Sequence, residues 1–363
     1  MTSWNPLLDA PPYPADGYGR LADRLAALLG TKNDVLLVQG EAIIALEAAA
    51  TSLARPGLSA LNIVTSPYGR WFGDWLRRGG ATVIDLAAAP GRPIAAEAVV
   101  AALAGTHVDL VALVHAESAT GILNPLEAIA DIARAAGALL VVDAVASFGG
   151  HALDVDALGA DIVAVGPQKA LGGGAGVSAV AVSPRAWARI EAPGAVSLST
   201  LALGDLKANW LARGRGALPG MPSPIEFHTL EAALDRAEAE GLAALIARHA
   251  RAAAASRAGV AALGLVPWVA PQQASNLVTA VRLPDGIDRA ALLAGLAPFG
   301  TAIAAAVGPG SERLVRLNHT GPRARFEVVL ADIVALGTAL RALGAAAETG
   351  AAAEAVAAHY AGA

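Results

Sequence analysis

An aspartate and a lysine, each just beyond an apolar segment, are the residues of this sequence best placed to do chemistry. Asp143 ends the run LLVVD, and Lys169 stands three residues after Gly166, which closes the run DIVAVG. Burial lowers the pKa of a lysine, so that a free amine is available to attack a carbonyl carbon. A buried carboxylate beside a pyridine nitrogen favours the protonated, electron-withdrawing form of that ring. The pair therefore indicates chemistry on a pyridine-ring aldehyde or amine.

The elements that must position this pair are short β-branched runs that alternate with alanine-rich amphipathic segments. Two of those segments, Glu41–Leu53 and Leu126–Ala136, have helical periodicity. The alternation predicts an α/β layer with a mostly parallel sheet, in which ligands bind beyond the carboxyl ends of the strands. The predicted strands are Val35–Gln39, Leu61–Thr65, Thr82–Leu86, Leu110–His115, Leu139–Asp143, Ile162–Val165 and Val177–Val182.

The second half of the chain has a different pattern. A long helical region from about Glu226 to Leu263 precedes a strand at Leu277–Val281, a helix at Asp288–Gly295, a strand at Leu314–Leu317 and further helices. This order is typical of an α+β domain, and 363 residues are too many for one ordinary core. We expect an N-terminal extension over residues 1–14, a large domain over 15–240 and a smaller C-terminal α+β domain over 241–363.

Composition excludes several classes of protein. The net charge is -5 and no basic stripe stands out, which argues against a nucleic-acid partner. The chain has no cysteine, so thiol catalysis and the persulfide chemistry of cysteine desulfurases are excluded. Proline interrupts the two longest uncharged stretches, so we expect no membrane span. The N-terminus lacks an export pattern, which favours a cytoplasmic location, and the histidines lack a metal-ligand spacing.

Four segments, in the same order along the chain, resemble segments of the class V aminotransferases, the branch of alanine–glyoxylate and serine–pyruvate aminotransferases. The resemblance covers roughly residues 15–345. It implies the fold-type I architecture, transamination through vitamin B6 chemistry, and a homodimer with shared active sites. The segments are GEAIIALEAA (40–49), HAESATGILNPLEAI (115–129), VDAVASFGG with GPQKAL (142–150 and 166–171) and VRLNHTGP (315–322).

The resemblance implies roles around a pyridine ring. Lys169 corresponds to the Schiff-base lysine, and Asp143 to the partner of the ring nitrogen. Val145 would pack on one face of the ring, and Tyr68 would stack on the other. Ser118 would form a hydrogen bond near the ring hydroxyl.

The resemblance also implies which residues bind the substrate carboxylate and which lie at the phosphate end of the cofactor. Arg316 would clamp the substrate carboxylate, for which a planar, two-pronged donor is well shaped. Gln168 would lie near the phosphate end of the cofactor. Gly40, Glu41 and Ala42 stand where the family has a Gly-Ser-Gly-Thr run that binds phosphate at a helix N-terminus.

This helix start departs from the family. Both hydroxyls are absent and Glu41 replaces the serine. A carboxylate ~4 Å from a phosphate costs about 4 kcal/mol per pair of unit charges at an effective dielectric near 20. Met221 also replaces the threonine of a Thr-Pro segment that the family brings from the partner subunit, with Ser223 beside it. Two losses in one subsite predict a ligand without a phosphate.

A group within the family, the pyridoxamine–pyruvate transaminases, resembles the chain in its Gly-Glu helix start and its Tyr-Gly segment. This predicts the reaction of pyridoxamine with pyruvate to pyridoxal and L-alanine, with unphosphorylated vitamin B6 as substrate and Glu41 as the selectivity residue. The group's second substrate arginine is absent from the stretch 305–308, and Arg313 is a candidate replacement.

Two alternatives stay open. One is an aminotransferase that uses bound pyridoxal 5'-phosphate with alanine or serine and glyoxylate or pyruvate, in which Glu41 is an ordinary first-turn acid that favours the helix dipole. The other is a degenerate, non-catalytic B6-binding protein.

Overall fold

The computed structural model describes residues 10–192 and 199–361, so most of the predicted N-terminal extension lies outside the described residues. The helices there are α1 (Gly17–Leu29), α2 (Ala42–Leu53), α3 (Pro67–Arg78), α4 (Ala96–Leu103), α5 (Leu126–Ala135), α6 (Val155–Leu158), α7 (Pro184–Ile190), α8 (Leu203–Asn209), α9 (Pro224–Glu240), α10 (Leu242–Ala262), α11 (Arg289–Leu296), α12 (Phe326–Ala342) and α13 (Thr349–Ala361). The strands are β1 (Asp34–Gln39), β2 (Ser59–Val64), β3 (Thr82–Ala87), β4 (Leu110–Val114), β5 (Leu139–Asp143), β6 (Ile162–Val165), β7 (Val177–Val182), β8 (Val266–Pro267), β9 (Val278–Arg282), β10 (Ala304–Ala305) and β11 (Leu314–Asn318).

The larger sheet confirms the predicted α/β layer. Within the described residues it has seven strands in the order β1-β7-β6-β5-β4-β2-β3. Strands β3, β2, β4, β5 and β6 pair in parallel, and β7 runs antiparallel to both β6 and β1. Strands β4, β5, β6 and β7 are buried along their whole length, which explains why they read as continuous apolar runs rather than alternating ones.

A second, antiparallel sheet follows in the C-terminal part, with the order β10-β11-β9-β8 among the described residues. The sequence predicted β9 and β11. It missed β8 and β10, which have two residues each and too little length for a period of two. The segment predicted as one long helix is broken at Gly241, whose φ of 83° and ψ of 134° are not helical. The segment therefore forms two helices, α9 and α10.

The two largest hydrophobic clusters among the described residues accompany the two sheets. One surrounds the larger sheet, and the other packs α11, α12 and α13 on the smaller sheet. Helix α10 takes part in both, since Leu245 packs in the first core while Ala252 and Val260 pack in the second. The division of the chain between residues 240 and 241 stays a prediction. None of the helices in the described ranges combines the length and apolarity that a membrane crossing requires.

The parallel pairing of β5 with β6 brings Asp143 and the Lys169 turn to the same edge of the sheet, because Asp143 lies opposite Ala164. The turn is closed by a hydrogen bond from the Gly172 amide to the carbonyl of Lys169 at 3.1 Å. Gly172 has a φ of +67°, and a Cβ there would lie 2.6 Å from Pro322. The glycine run after the lysine is therefore a tightly packed turn that needs a residue without a side chain at this position.

Candidate active site

A pocket with about 360 Å³ of empty space opens at the carboxyl ends of β4, β5 and β6. It is bounded by the start of α2, the start of α3 and the lysine turn. Most of the predicted site residues meet here, together with apolar residues that the sequence did not single out. The lining residues are Glu41, Ala42, Ile43, Leu46, Tyr68, Val114, Ala116, Ser118, Asp143, Val145, Ala146 and Lys169.

Asp143 is a buried acid at the floor of this pocket. Its Oδ1 accepts a hydrogen bond from the Val145 amide at 2.9 Å, which fixes the carboxyl against the turn after β5. Burial raises the pKa of Asp143 to about 6, although the Val145 amide and the charge of Lys169 oppose the rise. A cationic group in the pocket would favour the ionised form, because an opposite charge at short range lowers the pKa of a carboxyl.

Lys169 lies in the same pocket with its pKa lowered. The largest cause is burial, and the positive charge of Arg316 acts in the same direction. The negative charges of Glu41 and Asp143 act against it. The lysine thus holds its proton less firmly than an exposed lysine does, which makes a free amine available for nucleophilic and proton-transfer chemistry.

Glu41 caps helix α2. Its Oε2 accepts from the Ile43 amide at 2.8 Å, and its Oε1 accepts from Nε2 of Gln168 at 2.6 Å. Gln168 is not part of the pocket wall and reaches the site through this contact. Gly40 precedes the cap, where a Cβ would lie 3.1 Å from Ile44. One amide of the first turn of α2, that of Ile43, is therefore already paired with a carboxylate.

Tyr68 and Val145 are apolar surfaces of the pocket on two different elements. Ser66 caps α3 by accepting from the Tyr68 amide at 3.2 Å, and the Tyr68 ring packs edge-on against Trp71, with 5.4 Å between ring centroids. Val145 is buried in the turn after β5. Both positions suit contact with a flat ring.

Arg316 reaches the site from the smaller sheet. It lies on β11, opposite Ala280 of β9 and Ala304 of β10. Its Nη1 donates to the carbonyl of Ser118, while its buried Nε has no hydrogen-bond partner among the described residues. A buried donor without a partner is costly, so this guanidinium suits an acceptor on a bound molecule.

Arg313 does not replace the missing second arginine in this structure. It is paired with Asp285 and donates to the carbonyls of Leu283 and Pro284. These partners hold Arg313 against the segment that follows β9. Neither Arg313 nor Arg316 belongs to the pocket wall, but Arg316 contacts that wall through the Ser118 carbonyl.

The sequence pattern of the family described as "Aminotransferase class-V" matches residues 16–321. The chain belongs to the class V aminotransferases. Pyridoxamine–pyruvate transaminase of Mesorhizobium japonicum is 37% identical over 331 residues, 90% of this chain and 84% of that protein. Alanine–glyoxylate aminotransferase of Callithrix jacchus is 31% identical over 86% of this chain and 76% of its own. The crystal structure of pyridoxamine–pyruvate aminotransferase from Mesorhizobium loti superposes with a TM-score of 0.90 at 35% identity, covering 95% of this chain and 89% of that one.

The residues of this aminotransferase fit the vitamin B6 ring that the family uses. Asp143 offers a buried carboxyl to a ring nitrogen, and Lys169 offers an amine with a lowered pKa. Arg316 offers an unpartnered donor to a carboxylate. No group of three or more metal-ligating side chains occurs in the part of the chain that the structure describes.

Sequence reasoning missed Glu117 among the functional candidates for this aminotransferase. It is fully buried, it precedes Ser118, and burial raises its pKa to about 7. The signal was present, since Glu117 lies three residues after the apolar strand β4 and acids are rarely fully buried unless they are paired.

Proposed function

We propose that the chain transfers the amino group of free pyridoxamine to pyruvate, giving pyridoxal and L-alanine. The observation that carries the proposal is the position of Glu41, which lines the pocket and caps α2 with both of its carboxylate oxygens engaged. The similarity to pyridoxamine–pyruvate transaminase from Mesorhizobium japonicum supports it. Vitamin B6 is on this proposal an unphosphorylated substrate rather than a bound cofactor.

A phosphate would meet an unfavourable helix start. Helix N-termini bind phosphate through free amides, but here the Ile43 amide already donates to Glu41. Two unit charges at ~4 Å repel by about 1 kcal/mol in water and by about 4 kcal/mol at an effective dielectric of 20. A hydroxymethyl group carries no charge and has one donor, which the Glu41 carboxylate accepts.

The residues of the pocket divide the work of transamination. The pyridine ring, when bound, supplies the electron sink. Asp143 holds the proton on the ring nitrogen, and Tyr68 and Val145 keep the ring in place. Lys169 Nζ takes a proton from the carbon that carries the pyridoxamine amino group and delivers one to the α-carbon of the new amino acid. Arg316 holds the carboxylate of the 2-oxo acid close to that carbon.

Pyridoxal 5'-phosphate with alanine or serine and glyoxylate or pyruvate is the second candidate. The cap between Glu41 and the Ile43 amide is what an ordinary first-turn acid would make, and Glu41 is exposed, so water screens its charge. The similarity to an alanine–glyoxylate aminotransferase points the same way. A non-catalytic B6-binding protein is the third candidate, and the lowered pKa of Lys169 speaks against it.

A homodimer and a cytoplasmic location belong to the same proposal. Met221 is 98% exposed, an unusual state for an apolar side chain, and Ser223 lies beside it at the start of α9. Cover by a second copy of the chain would remove this apolar surface from water. Sedimentation of the pure protein tests the dimer directly.

The decisive assay mixes the pure protein with pyridoxamine and pyruvate, with no phosphorylated vitamer present. We expect pyridoxal and alanine to form in equal amounts, and Lys169→Ala to abolish both. Lys32→Ala, which removes an exposed lysine that is not part of the pocket wall, is the matched control and should behave like the wild type. Turnover only of alanine and glyoxylate, and only after addition of pyridoxal phosphate, would refute the proposal.

A further inference from the structure

Glu117 is a buried acid beside the pocket but not in its wall. Its side chain has no exposure to solvent, and its backbone is held in a tight turn after β4. The Glu117 amide donates to the carbonyl of Ile122, and the Glu117 carbonyl accepts from the Gly121 amide, both at 2.8 Å. The turn fixes where the carboxyl points, so its partners are set by the fold.

The first partner is Thr65, the residue after β2. Thr65 donates its hydroxyl to Oε1 of Glu117. The direction of this bond is set by Asn124, whose Nδ2 donates to the Thr65 oxygen at 2.9 Å and to the Val114 carbonyl at 2.7 Å. Since the Thr65 oxygen accepts from Asn124, its own hydrogen is free for the acid.

The second partner is Ser66, the cap of helix α3. Its hydroxyl is near enough to lower the pKa of Glu117 but forms no hydrogen bond to that carboxyl among the described residues, and its Oγ accepts from the Tyr68 amide at 3.2 Å. Helix α3 sits close on β2, because a Cβ at Gly69 would lie 2.7 Å from the Ile63 carbonyl. The start of α3 is thus held from one side by β2 and from the other by Glu117.

We infer that Glu117 is a positioning residue that fixes the start of helix α3, and with it the place of Tyr68 in the pocket, through Thr65 and Ser66. The inference rests on the proposed function insofar as Tyr68 is taken to contact the ring of the bound vitamer. Glu117 is not among the residues of the pocket wall. Its effect passes through two hydroxyls to the second residue of α3.

The neutral form of the acid suits this role. Oε2 of Glu117 has no hydrogen-bond partner among the described residues, and a buried ion without partners is costly. Burial raises the pKa of Glu117 to about 7 against the pull of the Ser66 and Thr65 hydroxyls, and the charge of Asp143 raises it further. A neutral Glu117 leaves Asp143 as the negative group nearest a ring nitrogen. Glutamine has the same shape and also accepts from Thr65.

The test compares Glu117→Ala, Glu117→Gln and Thr65→Val, each with and without Tyr68→Ala. Pyridoxal binding is followed by the circular dichroism of the bound ring, and kcat and KM are measured separately for pyridoxamine and pyruvate. We expect Glu117→Ala to weaken pyridoxal binding and raise the KM for pyridoxamine by about ten-fold, the size of a lost aromatic contact. The KM for pyruvate, which depends on Arg316, should change less. Glu117→Gln should stay within about two-fold of the wild type.

Asp161→Ala is the control, since it removes another buried acid outside the pocket, one that accepts from the Leu140 amide and the Ser183 hydroxyl and lies 3.4 Å from Arg185. When Tyr68 is already alanine, Glu117→Ala should cause little further loss of pyridoxal binding. An equal effect of Glu117→Ala with and without Tyr68, or an equal loss of ring binding in Asp161→Ala, would overturn the inference. So would a Glu117→Gln variant as impaired as the alanine variant.

Thr65→Val removes the same hydrogen bond while keeping the acid, and covers the case in which Glu117→Ala does not fold. It should shift the ring signal in the same direction as Glu117→Ala. A wild-type ring signal in Thr65→Val would contradict the inference. If the wild type itself neither binds nor converts unphosphorylated vitamers, the proposed function fails. The same variants are then tested for binding of pyridoxal phosphate, because its pyridine ring is the same and Tyr68 would contact it.

Discussion

Gln168 donates from Nε2 to Oε1 of Glu41 across 2.6 Å, and so joins the residue before Lys169 to the start of α2. The other Glu41 oxygen is held by the Ile43 amide. The carboxylate is therefore oriented from two sides before any ligand enters. An oriented acceptor discriminates between ligands better than a mobile one, because less side-chain entropy is lost on binding.

Removal of this contact should weaken the discrimination between vitamers. In Gln168→Ala, Glu41 keeps one anchor and loses the other, so we expect the preference for pyridoxamine over pyridoxamine phosphate to fall about five-fold, in line with about 1 kcal/mol for one typical hydrogen bond. The ratio of kcat/KM for the two vitamers measures it. Gln272→Ala, an exposed glutamine outside the pocket, is the control. An unchanged ratio in Gln168→Ala would show that the Ile43 amide alone orients the acid.

Neutralising Glu41 should admit a phosphate. In Glu41→Gln the charge repulsion of about 1–4 kcal/mol disappears. Pyridoxal phosphate should therefore bind to this variant more tightly than to the wild type, by a factor of about ten or more. Titration of the ring absorbance gives both dissociation constants. Glu47→Gln, on the same helix but outside the pocket wall, controls for the loss of one negative charge. Equal affinity of wild type and Glu41→Gln for the phosphorylated vitamer would rule out a selectivity role.

The raised pKa of Glu117 predicts a pH dependence of stability. Burial raises the pKa of this carboxyl from 4.5, its value in the unfolded chain, to about 7 in the folded one. Between these values the folded protein keeps a proton that the unfolded chain has lost, so the contribution of Glu117 to stability falls as the pH rises. Glu117→Gln removes this fall, and its unfolding free energy relative to the wild type should increase by up to about 3 kcal/mol from pH 4.5 to 7.

Urea unfolding at several pH values measures this difference. Glu354→Gln, which replaces an exposed acid on α13, should track the wild type across the range. A constant difference between Glu117→Gln and the wild type would mean that Glu117 ionises at its ordinary pKa in the folded protein.

A buried histidine gives the opposite pH dependence. His249 donates from Nδ1 to the Leu245 carbonyl at 2.8 Å and accepts at Nε2 from the Gly321 amide at 2.9 Å. Burial lowers its pKa from 6.5 to about 4. The unfolded chain therefore binds a proton between these values that the folded chain does not, and stability is lost as the pH falls from 6.5 towards 4.

In His249→Gln we expect this part of the acid sensitivity to disappear, at a cost of about 1–2 kcal/mol at pH 7 for the altered hydrogen bonds. Thermal unfolding at pH 7 and pH 5 tests both statements. His359→Gln, at an exposed position near the end of α13, should leave the pH dependence unchanged. A wild-type slope in His249→Gln would assign the acid sensitivity to other groups.

The sequence predicted the larger sheet well because its strands are long, β-branched and flanked by helical periodicity. The order of the motifs located the edge at which Asp143 and Lys169 meet, and the pocket wall contains Tyr68, Ser118 and Val145 as expected. The roles of these residues stay predictions until a vitamer is seen bound. Strands β8 and β10 were missed because two residues carry no period.

Other features depended on contacts that no local pattern encodes. The break at Gly241 needs a backbone conformation that glycine permits but does not demand. The link between Glu117 and Thr65 joins residues 52 positions apart. The position of Arg313 is set by Asp285, a neighbour only in the folded chain, which pairs with it.

Arg316 lies on the smaller sheet, while Asp143 and Lys169 lie at the edge of the larger one. The proposed site for the acid and the proposed site for the ring are thus built from different parts of the chain. On the proposed roles, substitutions along β9, β10 and β11 act on the recognition of the acid, and substitutions at the start of α2 act on the choice of vitamer. The two parts of the site still touch, because Arg316 donates to the Ser118 carbonyl and its charge lowers the pKa of Lys169. An engineer who combines the two sets should therefore find their effects additive only while Arg316 itself keeps its place.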